Sequence, residues 1–126
     1  MPVDRRHDPL PLSVPEFQVL LALVDRDLHG YGLLQDIEER TGGEVSLTAS
    51  TLYAALKRML RGGWIEELEP SAGAGEDARR RTYRITGRGL EIARREAERL
   101  ERAAQMARSK RLLPGLASRG RSGAGR

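Results

Sequence analysis

Residues 48–63 carry a clear amphipathic pattern. Apolar side chains recur with the i, i+4, i+7, i+8 spacing of one helical face, at Leu52, Leu56, Met59 and Leu60. Thr48 can cap the start of such a helix, and Gly62 or Gly63 can end it, because glycine accepts the left-handed conformation. The opposite face holds small residues and three cations, at Ser50, Thr51, Ala54, Lys57, Arg58 and Arg61. The pattern therefore predicts a helix with one buried face and one basic face.

Two shorter helices are predicted before this one. Ser13 and Glu16 have the spacing of a capping box, and the helix that they begin should run to about Asp25. Apolar residues cover so much of this helix that a second chain is expected to bury part of it, with the main stripe at Phe17, Leu20, Leu21 and Val24. The second helix, at about residues 31–40, should face inward through Tyr31, Leu34 and Ile37.

After Gly63 the periodicity becomes that of strands. Residues 64–69 and 79–86 predict two strands, joined by a turn at residues 70–75 that is rich in glycine. Tyr83 and Ile85 alternate on one side of the second strand and should contact the core. Trp64 is predicted to be a core anchor rather than part of a ligand cage. Such a hairpin beside three helices is the wing of a winged helix-turn-helix.

A long last helix is predicted after Thr86, which can cap it, and Pro114 is expected to close it. Its apolar positions have gaps of 3, 4, 3, 4 and 3, which is a heptad seam: Leu90, Ala93, Ala97, Leu100, Ala104 and Ala107. Charged residues, Glu96 among them, are expected on its other faces. Packing within its own domain is the alternative, but the seam favours a dimerisation helix.

The length of 126 residues suits one domain with tails. We expect a flexible N-terminal tail at residues 1–11 and a winged helix-turn-helix domain at residues 12–86. The dimerisation helix follows at residues 87–113, and a disordered basic tail at residues 114–126. The predicted fold class is mainly α with a small β-hairpin.

The distribution of charge is more informative than its sum. The net charge is +4, but six of the 22 cations lie in residues 108–126, which leaves 16 cations against 18 acids in residues 1–107. Residues 48–63 nevertheless carry +3 and residues 79–90 carry +5, with no acid in either segment. A basic patch on the body is the electrostatic signature of a nucleic-acid-binding surface.

Several classes of function are disfavoured. The chain has no cysteine and two histidines, so no metal cluster or cofactor is expected. His29 is expected to act in a turn or cap rather than as a catalytic base, and no nucleophile motif or phosphate-binding glycine loop is present. The longest apolar run, residues 19–24, is too short to span a bilayer, and the N-terminus does not resemble a secretory signal. We expect a cytoplasmic protein that is not an enzyme and does not enter a membrane.

Three stretches in this order resemble the PadR-like family of transcriptional regulators. They are His29-Gly30-Tyr31-Gly32-Leu33, then residues 51–59 followed by Gly63-Trp64-Ile65, and finally residues 81–90, RTYRITGRGL. With the first helix, the resemblance covers about residues 12–108, and the single last helix is similar to the short subfamily. The sequence departs from the family pattern at Ala54, where proline is frequent, and at Gly32, where an acidic residue is common.

The resemblance implies a homodimeric, usually repressive DNA-binding protein that often responds to a small molecule. It also implies that the last helix packs on the first helix of the partner. An effector cavity is expected there, lined by Phe17, Leu21, Leu100 and Ala104.

The predicted mechanism places two copies of the helix at residues 48–63 into successive major grooves, about 34 Å apart on an inverted repeat of double-stranded DNA. The predicted DNA contacts are Ser50, Thr51, Tyr53, Lys57, Arg58, Arg61, Arg79, Arg80 and Arg81. The alternative is a winged-helix module that contacts an acidic protein and does not bind DNA. The position of the two basic segments, residues 48–63 and 79–90, distinguishes these functions. DNA is favoured if both segments lie on one surface of the dimer with matching separation, and the alternative is favoured if a helix covers the basic face of residues 48–63.

Overall fold

The computed structural model describes residues 9–68 and 81–115, which form four helices and three strands. In chain order these are α1 (Val14–Asp25), β1 (Leu28–His29), α2 (Gly30–Arg40), α3 (Ala49–Gly62), β2 (Ile65–Glu67), β3 (Thr82–Ile85) and α4 (Gly87–Ser109). The architecture confirms the predicted fold class. The predicted wing turn, the basic tail beyond residue 115 and most of the N-terminal tail lie outside the described residues.

Side-chain caps begin each helix. The Ser13 and Glu16 side chains form the predicted capping box at α1. Thr48 accepts from the amide of Thr51 at the start of α3, and Thr86 accepts from the amide of Gly89 at the start of α4. Gly63 ends α3 with a φ of 78°, as the sequence indicated. Local sequence therefore determines where these helices begin and where α3 ends.

A third strand extends the predicted hairpin. Leu28 and His29 form β1, which pairs antiparallel with β3, while β2 pairs with the other edge of β3. No strand was predicted between the first two helices, because two residues are too few to show alternation. The consequence is that β3 is a central strand, hydrogen-bonded to the segment that leads directly into α2.

The core lies where the sheet meets α1 and α3. Trp64 is 8% exposed and Tyr83 is 5% exposed, which confirms both as core residues. The fully buried large side chains include those of Leu20, Leu23, Leu33, Ile37, Leu52, Leu56, Met59 and Ile65. Burial of this apolar surface anchors α3 by one side and leaves its other side at the surface.

The inward face of α2 differs from the prediction. Tyr31 is 61% exposed, whereas Leu33 and Ile37 are fully buried and Leu34 is half-buried. Because residues advance by about 100° along a helix, Tyr31 lies roughly 200° from Leu33 and cannot share its side. The predicted inward position of Tyr31 was therefore wrong, and Leu33 occupies that role.

The first half of α4 packs on its own domain. Gly89, Ile92, Ala93 and Glu96 are buried, and a Cβ at Gly89 would overlap the carbonyl oxygen of Trp64. The helix ends at Ser109, before the predicted stop at Pro114, and Arg111 has a left-handed φ of 66°.

Glu96 was expected at the surface but is 2% exposed. Both Glu96 side-chain oxygens lie 2.8 Å from the guanidinium of Arg99, which satisfies the buried charge.

Candidate nucleic-acid interface

The outer face of α3 is open in the described part of the chain. All six residues predicted to be on this face are exposed: Ser50, Thr51, Ala54, Lys57, Arg58 and Arg61. The buried face consists of Leu52, Ala55, Leu56 and Met59. Ala55 was missing from the predicted stripe, and Leu60 is only half-buried. The division into a buried apolar side and an exposed basic side is as predicted.

Hydroxyl groups occupy the N-terminal end of α3. The Thr48 Oγ1 atom accepts from the Thr51 amide at 3.1 Å and donates to Thr51 Oγ1 at 3.0 Å. Because Thr51 Oγ1 is an acceptor in this pair, its own proton remains available to an outside acceptor. Ser50 Oγ lies 3.5 Å from Thr48 Oγ1. This end of the helix can therefore donate hydrogen bonds to a phosphate or a base edge.

The three cations of α3 differ in their surroundings. Arg58 Nε donates to Glu16 Oε2 at 3.0 Å, so its charge is partly compensated. Lys57 and Arg61 form no ion pair with any residue in 9–68 or 81–115. They are the two cations on this face whose charge is uncompensated there. The sequence could not show this difference, because Glu16 is distant in the chain.

Tyr53 lies at the junction of α2 and α3. Its side chain is half-buried, and its hydroxyl occupies the space that a Cβ at Gly30 would take. The ring therefore packs against the first residue of α2, where only glycine fits. The prediction that the Tyr53 hydroxyl contacts phosphate remains untested.

The described part of the wing is less basic than its sequence suggests, because Arg81 and Arg84 are both paired with carboxylates. Arg81 Nε lies 2.9 Å from Glu67 Oε2, and Arg84 Nη2 lies 3.0 Å from Asp27 Oδ2. The hydrogen bond to Asp27 raises the pKa of Arg84, which stays cationic. Arg88 Nε donates to the carbonyl oxygen of Gly62 at 3.2 Å. Arg79 and Arg80 lie outside the described residues, so their predicted DNA contacts cannot be located.

The predicted dimer surface is only partly free. Leu20 of α1 and Ala93 of α4 are buried in the core of the domain, so they cannot contact a partner. The predicted dimer surface was therefore one residue too wide on each of these helices. Val24 and Leu100 are exposed, at 47% and 40%. The other predicted positions are half-buried or exposed: Phe17, Leu21, Leu90, Ala97, Ala104 and Ala107. An apolar strip thus remains along the outside of α1 and the second half of α4.

An apolar cleft separates α2 from the start of α3. It has a volume of about 160 Å³ and is lined by Tyr31, Leu34, Ala49 and Tyr53. This cleft was not predicted from the sequence, because Tyr31 was expected to point into the core. The cleft places the exposed Tyr31 ring beside the first residue of α3.

No metal site and no membrane span occur in the described residues. Residues 9–68 and 81–115 contain no group of three or more His, Asp or Glu side chains that could hold a metal ion. Within the same ranges, no helix combines the length and the apolar character needed to cross a bilayer.

Known proteins share this fold. A structure of a transcriptional regulator from Clostridium thermocellum is 26% identical, with a TM-score of 0.65 over 75% of this chain and 87% of that chain. A PadR family transcription regulator from Clostridium difficile R20291 is 22% identical, with a TM-score of 0.66 over 77% and 97%. Bacillus subtilis PadR, solved in complex with operator DNA, is 24% identical, with a TM-score of 0.57 over 67% and 46%.

Sequence comparison agrees with the structural likeness. A curated relative from Lysinibacillus sphaericus, itself described as uncharacterized, is 31% identical over 71 residues, or 56% of this chain. The match spans 63% of that relative, which is less than two thirds of its length. The sequence model of the transcriptional regulator PadR-like family matches residues 19–95, and this family consists of regulators rather than enzymes. The chain belongs to the PadR-like family of transcriptional regulators.

Proposed function

We propose that the protein is a homodimeric transcriptional regulator, a repressor, that binds an inverted-repeat operator through α3. The observation that carries this proposal is the open face of α3, where Lys57 and Arg61 form no ion pair within residues 9–68 and 81–115 and the Thr51 hydroxyl keeps a proton to donate. A helix with short side chains and basic residues fits the major groove. Bacillus subtilis PadR, a structural neighbour, is a protein solved on operator DNA.

Each part of α3 has a proposed task. Ser50 and Thr51 contact base edges or phosphates at the N-terminal end, where hydroxyl donors are exposed. Lys57 and Arg61 neutralise phosphates and set the position of the helix on the duplex. Arg58 and Arg81 contribute less, because Glu16 and Glu67 already compensate part of their charge. Arg79 and Arg80 remain proposed wing contacts on the basis of sequence.

The dimer supplies the second α3. The exposed side of α1 and the second half of α4 carry apolar residues, among them Val24 and Leu100, that a partner would cover. Two chains would then place their α3 helices about 34 Å apart on one side of the duplex.

Occupation of an operator would block transcription, and an apolar effector bound between α1 and the partner's α4 would release the protein from the operator. Phe17, Leu21, Leu100 and Ala104 are the proposed lining. This function places the protein in the cytoplasm.

One observation favours a different function. Arg58, Arg81 and Arg84 are all paired with carboxylates of their own chain, which lowers the positive charge available to DNA. A winged-helix module that contacts an acidic protein would need fewer free cations. The open face of α3 supports DNA more strongly, because it offers hydrogen-bond donors at one end together with cations further along the helix.

Selection of bound sequences from random duplex DNA tests the proposal. The expected result is an enriched inverted repeat, bound by a dimer, with affinity that falls steeply as salt rises because phosphate contacts release counterions. Lys57→Ala and Arg61→Ala should each weaken binding without unfolding the protein, while Glu98→Gln on the exposed side of α4 should not. Failure to enrich any sequence, together with no binding at low salt, would overturn the proposal.

A further inference from the structure

We propose that His29 and Tyr31 form a neutral phosphate contact beside α3, and this inference rests on the proposed function. Neither residue was assigned to the DNA surface by sequence. Both are exposed, Tyr31 at 61%, and they flank the first residue of α2. The partner is the sugar–phosphate backbone of the duplex that α3 enters.

The His29 hydrogen bond determines which ring nitrogen can donate. His29 Nδ1 accepts from the Gly32 amide at 3.0 Å and thereby caps α2. A neutral imidazole that accepts at Nδ1 carries its proton on Nε2. The exposed His29 side chain therefore carries an N–H donor at Nε2, and the cap fixes the orientation of the ring.

Tyr31 is oriented in a similar way. Gln35 Nε2 donates to the Tyr31 hydroxyl oxygen at 3.3 Å, so the hydroxyl proton is free for another acceptor. Phosphate oxygens accept from tyrosine and from other neutral donors in protein–DNA complexes. The segment from His29 to Gln35 contains no acid that would repel a phosphate.

The two donors lie between the proposed DNA-contacting elements. Tyr31 and Ala49, the first residue of α3, line the same cleft. The Tyr53 hydroxyl of α3 fills the space above Gly30, which brings the start of α2 against α3. On the other side, His29 pairs with Thr82 of β3, next to Arg81 of the wing. A duplex that contacts both α3 and the wing must pass the start of α2.

Neutral donors leave a distinct signature in salt dependence. A lysine that neutralises a phosphate releases counterions, and its loss lowers the salt slope of binding by about 1. A hydroxyl or neutral imidazole adds a hydrogen bond without releasing counterions. Loss of this bond should weaken affinity on the order of tenfold, as expected for a hydrogen bond to a charged acceptor, and leave the slope unchanged.

The test compares Tyr31→Phe, His29→Asn and Lys57→Ala in DNA-binding titrations across a salt series, on the selected operator and on an unrelated duplex. Asparagine keeps a capping oxygen for α2 but is too short to present the outer donor. Gln105→Met, which removes a neutral donor from exposed α4, is the control. Thermal unfolding of each variant checks the fold. Should His29→Asn prove unstable, the binding result for Tyr31→Phe alone tests the inference.

The expected result is weaker binding of Tyr31→Phe and His29→Asn to both duplexes with the wild-type salt slope, and a reduced slope for Lys57→Ala alone. Unchanged affinity for Tyr31→Phe, with Lys57→Ala still weakened, would overturn this inference and leave the proposed function intact. A loss confined to the operator would also overturn it, because it would indicate a base contact. If the wild-type protein binds neither duplex, the proposed function itself fails.

Discussion

Arg58 of α3 donates through Nε to Glu16 at the start of α1, over 3.0 Å. The same carboxylate accepts from the Ser13 amide at 3.0 Å, so one side chain both caps α1 and holds the proposed DNA-binding helix. Glu16 is well covered, at 12% side-chain exposure, whereas Arg58 is 50% exposed. The ion pair therefore reduces the positive charge that Arg58 can offer to DNA, and it also links α3 to α1.

Glu16→Gln should release Arg58 for phosphate. Glutamine preserves the capping box, because its side-chain oxygen can still accept from the Ser13 amide, but it removes the charge that compensates Arg58. We expect tighter DNA binding and a salt slope steeper by up to about 1. Salt-series titrations measure both quantities. Stability should fall by no more than about 1 kcal/mol, the usual range for a partly exposed ion pair.

Glu39→Gln is the matched control for the Glu16 variant. Glu39 is exposed on α2, and it forms no ion pair with the residues that the structure describes. The same change in net charge at this position should leave the salt slope near that of the wild type. An equal gain in both variants would show that net charge, and not release of Arg58, is responsible.

Short-range sequence patterns predicted much of the fold, but contacts between residues far apart in the chain were not predicted. The caps at Ser13, Thr48 and Thr86 follow from short-range hydrogen bonding, and the structure confirms them. The partner of Arg58 lies 42 residues away in sequence, and no local pattern encodes such a pairing. β1 was missed for a related reason, since a two-residue strand is stabilised by its neighbour β3 and not by its own periodicity.

The errors in the candidate site have physical causes. Tyr31 was placed inward because it has the helical i, i+3, i+6 spacing with Leu34 and Ile37, yet the buried face of α2 is set by Leu33 and Ile37. Glu96 was placed outward because it is charged, although its i, i+3 neighbour Arg99 was a visible sign that its charge could be satisfied. The basic face of α3 was recognised because its apolar and polar residues separate cleanly at the helical period.

Gly30→Ala should destabilise the protein by roughly 1–3 kcal/mol, the usual cost of overpacking. The added Cβ would overlap the Tyr53 hydroxyl and lie 2.8 Å from Tyr53 Cζ. Tyr53→Phe removes the hydroxyl, so the double variant should recover part of the loss. Chemical denaturation of the two single variants and the double variant measures this coupling.

Gly87→Ala is the control for Gly30→Ala, since both glycines are the first residues of their helices. A Cβ at Gly87 meets no heavy atom within 4 Å among the described residues, apart from its chain neighbours and the nearby backbone of α4. Alanine there should be neutral or slightly stabilising, because it restricts the unfolded chain. If both alanine variants have the same stability, the close approach of α3 to Gly30 is wrong.

Glu96→Gln should lower stability at neutral pH by about 2 kcal/mol, the scale of a hydrogen bond to a charged group. The hydrogen bond from Arg99 lowers the pKa of Glu96 below its ordinary value of 4.5, despite the opposing effect of burial. A folded pKa below the unfolded one means that the stabilisation is complete above pH 4.5 and is lost as pH falls through the folded pKa. The difference between variant and wild type should therefore shrink in acid.

Glu98→Gln serves as the control for Glu96→Gln, because Glu98 is exposed on the same helix. Its unfolding free energy should match that of the wild type across the pH range. A Glu96→Gln deficit that stays constant from neutral pH to well below pH 4 would mean that the carboxylate charge is not what stabilises α4.

Leu100→Glu should dissociate the proposed dimer. Leu100 is 40% exposed on a heptad seam whose neighbours Ala97 and Ala104 are small, so a partner helix can approach closely there. A carboxylate at this position would be buried without a partner in the dimer but solvated in the monomer. Arg102→Gln changes the net charge by the same amount on the side of α4 away from the seam.

Sedimentation should show a monomer for Leu100→Glu and a dimer for Arg102→Gln, with thermal unfolding to verify that both chains fold. DNA affinity should fall with the dimer, because one α3 alone spans only half of an inverted repeat. A dimer that survives Leu100→Glu would place the interface elsewhere than on this seam.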